Sequence, residues 1–150
     1  MTDKSVFTED EWHALEEAPL RITLAMVAVG QHGPISMVKE MSASAREMAK
    51  PGDRGVANEL IAEIAHAAQS KEARHDVSAH RDKSTDAIVE SAMTDLAAVA
   101  AALAKLPADE AAQVRAWLNE IAKAVAAAAK EVSPEEQQTI DRIAATLGAQ

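Results

Sequence analysis

The side chains best suited to chemistry crowd into one stretch. Between Glu59 and Asp82 the chain carries Glu59, Glu63, His66, Glu72, His75, Asp76 and His80. Two Glu-x-x-His pairs lie within it, Glu63–His66 and Glu72–His75. On a helix, residues three apart share a face, so each pair offers a carboxylate and an imidazole to one divalent metal ion. Di-iron carboxylate bundles use this pairing, but they take it from two facing helices and add a glutamate from each of two more. Here both pairs fall within one short span, and a straight helix cannot face itself. Glu63, His66, Glu72 and His75 converge on a metal only if the chain bends sharply near Ser70. Without that bend they form a solvated polar face, the simpler reading.

The remaining candidates carry less. His13 follows Glu9 at helical spacing, which commonly gives an exposed pair worth a few tenths of a kcal/mol. His32 lies in a glycine-flanked turn, where a polar residue needs no further role. No serine has a nucleophile-elbow context. Gly52-Asp-Arg-Gly55 lacks the glycine spacing of a phosphate loop, and no His-Glu-x-x-His run occurs. Glu16–Glu17 and Glu135–Glu136 are consecutive, and consecutive helical side chains do not face one target. No catalytic residues are assigned and the chain is read as a non-enzyme. No cofactor is assigned either, beyond a possible divalent metal at the four residues above.

Composition narrows the class further. The chain has 150 residues, a length suited to one domain. Hydrophobic residues make up 48% and charged residues 26%, which argues for a packed core over disorder. The net charge of −9 repels a phosphate backbone, and three aromatic residues leave little for base stacking, so no nucleic-acid partner is expected. There is no cysteine, which excludes disulfides, thiolate ligands and a thiol nucleophile. The polar N-terminus does not resemble a signal peptide. The most apolar run, Leu20 to Val29, is shorter than the roughly 20 residues a membrane span requires. A cytoplasmic location without an integral membrane segment is therefore expected.

The elements that must position these side chains all read as helix. Thr8-Glu-Asp-Glu11 is a capping box, and Phe7 and Trp12 stand at the two positions of a hydrophobic staple. Pro19 is expected to end or kink that first helix. Leu20 to Val29, apolar nearly all round, predicts a central second helix, with Gly30 as a left-handed cap. Ile35, Val38, Met41, Ala45 and Met48 trace a third helix stripe, and Leu60, Ile61, Ile64, Ala65 and Ala68 a fourth. Met26, Met37, Met41, Met48 and Met93 suit a soft core better than a ligand groove. Residues 70–83 are polar and read as a helix extension or a connection, and residues 1–7 as a disordered tail. Ser84 or Asp86 opens a helix with the stripe Ile88, Ala92, Leu96, Val99 and Leu103. Pro107 or Asp109 opens another, with Val114, Leu118, Ile121, Val125 and Ala128. The short turn between them predicts a long antiparallel C-terminal pair. Ser133-Pro-Glu-Glu136 is a second capping box, and Ile140, Ile143 and Leu147 line the last helix before Gly148. No alternating strand pattern appears. The expected fold is all-α: a single compact bundle of six to seven helices.

Two short segments resemble the TerB-like tellurite-resistance family. They are Val29-Gly-Gln-His-Gly-Pro-Ile-Ser36 and Val132-Ser-Pro-Glu-Glu136, the latter followed by Ile140-Asp-Arg-Ile143 and Leu147-Gly148. The resemblance implies a helical fold and a link to stress response, with metal bound through acidic turns. In this chain His32 stands where the family has an acid before Gly33, and the turn before Val132 has no glycine. Three functions follow as expectations: a non-catalytic helical interaction or scaffold protein of TerB-like character, a metal-binding protein using the Glu-x-x-His pairs, and a homo-oligomeric structural bundle built on the heptad-like alanine stripes. The partner is an unidentified protein or a second copy of the chain.

Overall fold

The structure, a computed structural model, describes residues 4–30, 46, 58–68, 84–128 and 132–148. Among these the chain is helical without strands: a 3-10 turn at Lys4–Val6 followed by α1 (Glu9–Gly30), α2 (Asn58–Ala68), α3 (Thr85–Leu103), α4 (Ala108–Ala127) and α5 (Pro134–Leu147). Arg46, the one described residue between Gly30 and Asn58, is also helical. Most of the Ile35–Met48 stripe, the Gly52–Gly55 loop, His32 and the 70–83 connection lie outside the described residues.

Both capping boxes form. The Thr8 N–H donates to Glu11 Oε1 at 2.8 Å and the Glu11 N–H to Thr8 Oγ1 at 3.1 Å, so two donors without helical partners are satisfied reciprocally. Ser133 and Glu136 repeat the arrangement at α5. Phe7 is buried and stacks on Trp12 with ring centroids 6.3 Å apart, closing the staple. The expected disordered tail over 1–7 is therefore corrected from Lys4 onward, because burying Phe7 fixes the turn that leads to it. At the other end Gly148 adopts φ 82°, the left-handed cap that favours glycine.

Two helix boundaries differ from expectation. Pro19 does not end α1 but sits inside it, buried. Proline lacks the N–H that would bond the Leu15 carbonyl, a defect that normally breaks a helix. Here Leu15, Ala18, Leu20 and Ile22 are all buried around it, and their packing outweighs the missing bond. Thr23 Oγ1 donates to the Pro19 carbonyl at 2.7 Å and ties the next turn down. The two expected N-terminal helices are thus one. Gly30 remains helical, and Gly148 is the glycine with positive φ among the described residues.

Helix α1 is the hub of the bundle: it packs against α2, α3, α4 and α5. Its apolar circumference from Leu20 onward makes this possible, since every side finds a neighbour. Contacts give the helix directions. Arg21 meets Asp95, and Thr85 bonds the Ala28 carbonyl, so α1 and α3 run in opposite senses. Glu90 meets Arg142 and Met93 meets Thr146, so α3 and α5 run in the same sense. Arg115 Nε, near the start of α4, donates to the Leu147 carbonyl at the end of α5. Helices α3 and α4 each pack on α1 and α5, but are not among the closely packed pairs themselves. The core stripes are the expected ones: Leu96, Val99, Leu103, Val114, Leu118, Ile121, Val125, Ile143 and Leu147 are all buried.

The first cap is also an electrostatic joint. Glu11 carries an ion pair with Lys105 at the α3–α4 turn. The Lys105 hydrogen bond first, then the Thr8 backbone bond, holds the Glu11 carboxyl below the usual carboxylate range. A depressed folded-state pKa means stability that is present above the unfolded value and lost as pH falls through the folded value. Glu11→Gln is thus expected to melt at a lower temperature than the parent at neutral pH, the gap closing in acid. Thermal melts across the acid range check this.

Candidate functional site

The N-terminal half of α1 presents polar residues that split into two groups. Glu16 and Glu17 are consecutive, yet both meet the His13 ring, at 3.2 Å and 3.0 Å, so the expectation that neighbouring helical glutamates share no target is corrected; their other surroundings differ. Glu16 looks toward α2. Glu17 is buried: its carboxylate receives Arg21 Nη2 at 3.0 Å, with His13 Nε2 also 3.0 Å away. Arg21 Nε reaches across to Asp95 on α3 at 3.1 Å. The side chains of Arg21 and Glu17 are only 11% and 6% exposed, so this is an interior charge network joining α1 to α3. In sequence Arg21 is visible only as a break in an apolar run. That its charge sits inside, compensated on both sides, is a tertiary fact.

The second group opens on a cleft of about 470 Å³ between α1 and α2, lined by Trp12, Glu16, Ala62, Glu63, His66 and Ala67. The stripe Leu60, Ile61, Ile64, Ala65 and Ala68 faces the core, so the opposite face of α2 leaves Glu63 and His66 exposed. Trp12 is held by its stack on Phe7, and Glu16 Oε1 lies 3.2 Å from His13 Nδ1. The cleft thus brings together an indole, two alanines, two carboxylates and an imidazole.

Of the four expected metal ligands, Glu63 and His66 share this cleft with Glu16, whereas Glu72 and His75 lie outside the described residues. Among the described residues no group of three or more His, Asp or Glu side chains is placed to hold a metal ion. Sequence reasoning singled out Glu63 and His66 but not Trp12 and Glu16 as their neighbours. The staple signal explained Trp12 fully on its own helix, and nothing in the local pattern tells which helix packs beside it.

A second cleft, about 360 Å³, lies where α3 and α5 begin side by side, with Thr85, Asp86, Glu90, Glu135 and Arg142 among its walls. Asp86 and Glu135 occupy the first helical turns, where a negative charge complements the helix dipole, and Arg142 is paired with Glu90 at 2.9 Å. Its charges are thus spoken for structurally. Among the described residues no helix is long and apolar enough to cross a membrane. Comparison of the chain with models of known protein families, with curated proteins and with solved structures gives no match.

Proposed function

We propose that this chain is a non-catalytic helical interaction or scaffold protein whose docking site is the α1–α2 cleft. The observation that carries the reading is the composition of that cleft: an indole and two alanines together with the carboxylates of Glu16 and Glu63. Tryptophan in a partly desolvated recess is the side chain most often found at the energetic centre of protein interfaces. A hub helix with a cleft along its flank suits presentation of a fixed surface. A TerB-like stress role and a cytoplasmic location rest on the sequence signals alone and are part of the proposal. So is a bundle of at least six helices, with the Ile35–Met48 stripe supplying a further one. Helical Arg46 supports that count.

The test is site-specific photo-crosslinking in extracts of the source cells. A crosslinker at the exposed cleft residue Ala62 is expected to capture a discrete partner that the same group at exposed Thr94 of α3 does not. Equal capture at both positions, or none at Ala62, removes the reading.

A second reading is metal binding, resting on the Glu-x-x-His spacing of Glu63–His66 and Glu72–His75. It predicts that metal bound after reloading of metal-free protein is lost in the His66→Ala, His75→Ala variant. Unchanged metal content in that variant rules it out. A homo-oligomeric bundle is the third reading, and a monomer by light scattering across concentration excludes it.

A further inference from the structure

Resting on the interaction reading, we infer that the α1–α2 cleft takes an arginine or lysine side chain from an extended segment of a partner protein. Two features of the cleft select that chemistry together. Its lining joins apolar Trp12, Ala62 and Ala67 to the carboxylates of Glu16 and Glu63, with His66 beside them. Arginine and lysine pair an aliphatic stem with a cationic head, so the stem packs on the apolar side chains while the head meets the carboxylates. An indole beside the cation adds attraction through its ring quadrupole. A carboxylate has about four lone-pair sites, so Glu16 can hold its contact with His13 and still accept from an incoming guanidinium. The chain's net charge of −9 works in the same direction, steering basic segments in and anionic ones away.

Anionic surfaces and acidic peptides are poor occupants, because each would bring a like charge against Glu16 and Glu63. A neutral apolar peptide would cover the apolar side chains but strip water from both carboxylates without compensation, which is costly. The cleft therefore discriminates by charge at its carboxylates and by shape at its apolar side chains.

The full chain is titrated at about 0.15 M salt, where the Debye length is about 8 Å, with a short arginine-containing peptide, and with the same peptide carrying glutamine in place of arginine, while the indole N–H signals of Trp12 and Trp117 are followed by NMR. Trp117 is fully buried in the core and serves as the internal reference. The expected result is a saturable shift of Trp12 with Trp117 unmoved, for the arginine peptide only. Glu16→Gln with Glu63→Gln is expected to weaken binding by about tenfold or more, as loss of charge-assisted contacts would. Glu135→Gln with Asp141→Asn removes the same charge from exposed positions of α5, which contributes no residue to the cleft, and is expected to leave affinity within about twofold, since screened surface charges contribute little. Circular dichroism melts confirm that both variants fold.

Equal weakening by the two charge pairs, an absent Trp12 shift, or saturation by free spermidine as tightly as by peptide would overturn the inference. If Ala62 captures a partner that the glutamine peptide displaces as well as the arginine peptide, this inference fails while the interaction reading stands. If Ala62 captures nothing and neither peptide binds, both fall together.

Discussion

Arg21→Ala is expected to destabilise the fold by about 3 kcal/mol or more, because it leaves the Glu17 carboxylate buried without its cation. Glu17 is 6% exposed on its side chain, and Arg21 connects it to Asp95 on the neighbouring helix. The effect belongs at the lower end of the roughly 3–5 kcal/mol seen when one partner of a buried pair is removed. His13 still reaches Glu17. Removing both charges with shape-similar side chains, Glu17→Met with Arg21→Met, is expected to recover most of that loss, since the desolvation penalty disappears with the charges. Urea unfolding of the two variants makes the comparison. If the double variant is no better than Arg21→Ala, the network contributes through packing, and the electrostatic account fails.

The second large effect lies at Trp117. This is the largest fully buried side chain, near the middle of α4. Trp117→Ala is expected to cost about 3–5 kcal/mol, the transfer free energy of the ring plus the cavity it leaves. Trp117→Phe is expected to cost much less, and not only because it removes less volume. Among the described residues the indole Nε1 has no hydrogen-bond partner. Replacing tryptophan with phenylalanine therefore deletes an unsatisfied donor along with part of the ring, and the two terms oppose one another. Chemical denaturation of the two variants should give well separated midpoints with similar slopes. Similar destabilisation by both substitutions would mean that the indole nitrogen is satisfied, for instance by water.

Several features were readable along the chain because each is set within one helical turn. The two capping boxes needed only Thr8 with Glu11 and Ser133 with Glu136, four residues each. The staple needed Phe7 and Trp12, and the last cap needed a glycine at position 148. The buried stripes of α2 to α5 followed from periodicity, since a helix of fixed pitch must present Leu96, Val99 and Leu103 to one side. The all-helical class came from the same local signals summed over the chain.

The features that were not readable involve a contest between local and distant interactions. Pro19 signals a helix end, and locally that signal is correct: a donor is missing. The bundle overrides it because α1 is surrounded by other helices, and burial of Leu15, Ala18 and Ile22 exceeds the cost of one backbone bond. The short turn at Pro107 suggests that α3 and α4 pack together. Close packing of that pair on each other is not seen; each packs closely on α1 and α5, and the turn alone carries no information on that choice of partner.

The Glu63–His66 pair shows the same division within the candidate site. Its spacing placed a carboxylate and an imidazole on one face of a helix, and α2 bears them there, exposed and away from its core stripe. By itself the sequence determined which residues form helices, which faces those helices bury, and that Glu63 and His66 stand together. Only the tertiary structure decided that Trp12 and Glu16 stand opposite them, and that Arg21 is spent on holding α1 to α3. The physical reason is range. Caps and periodicity are fixed by neighbours a few residues apart, whereas the pairing of helix faces depends on how all the apolar surfaces are buried at once.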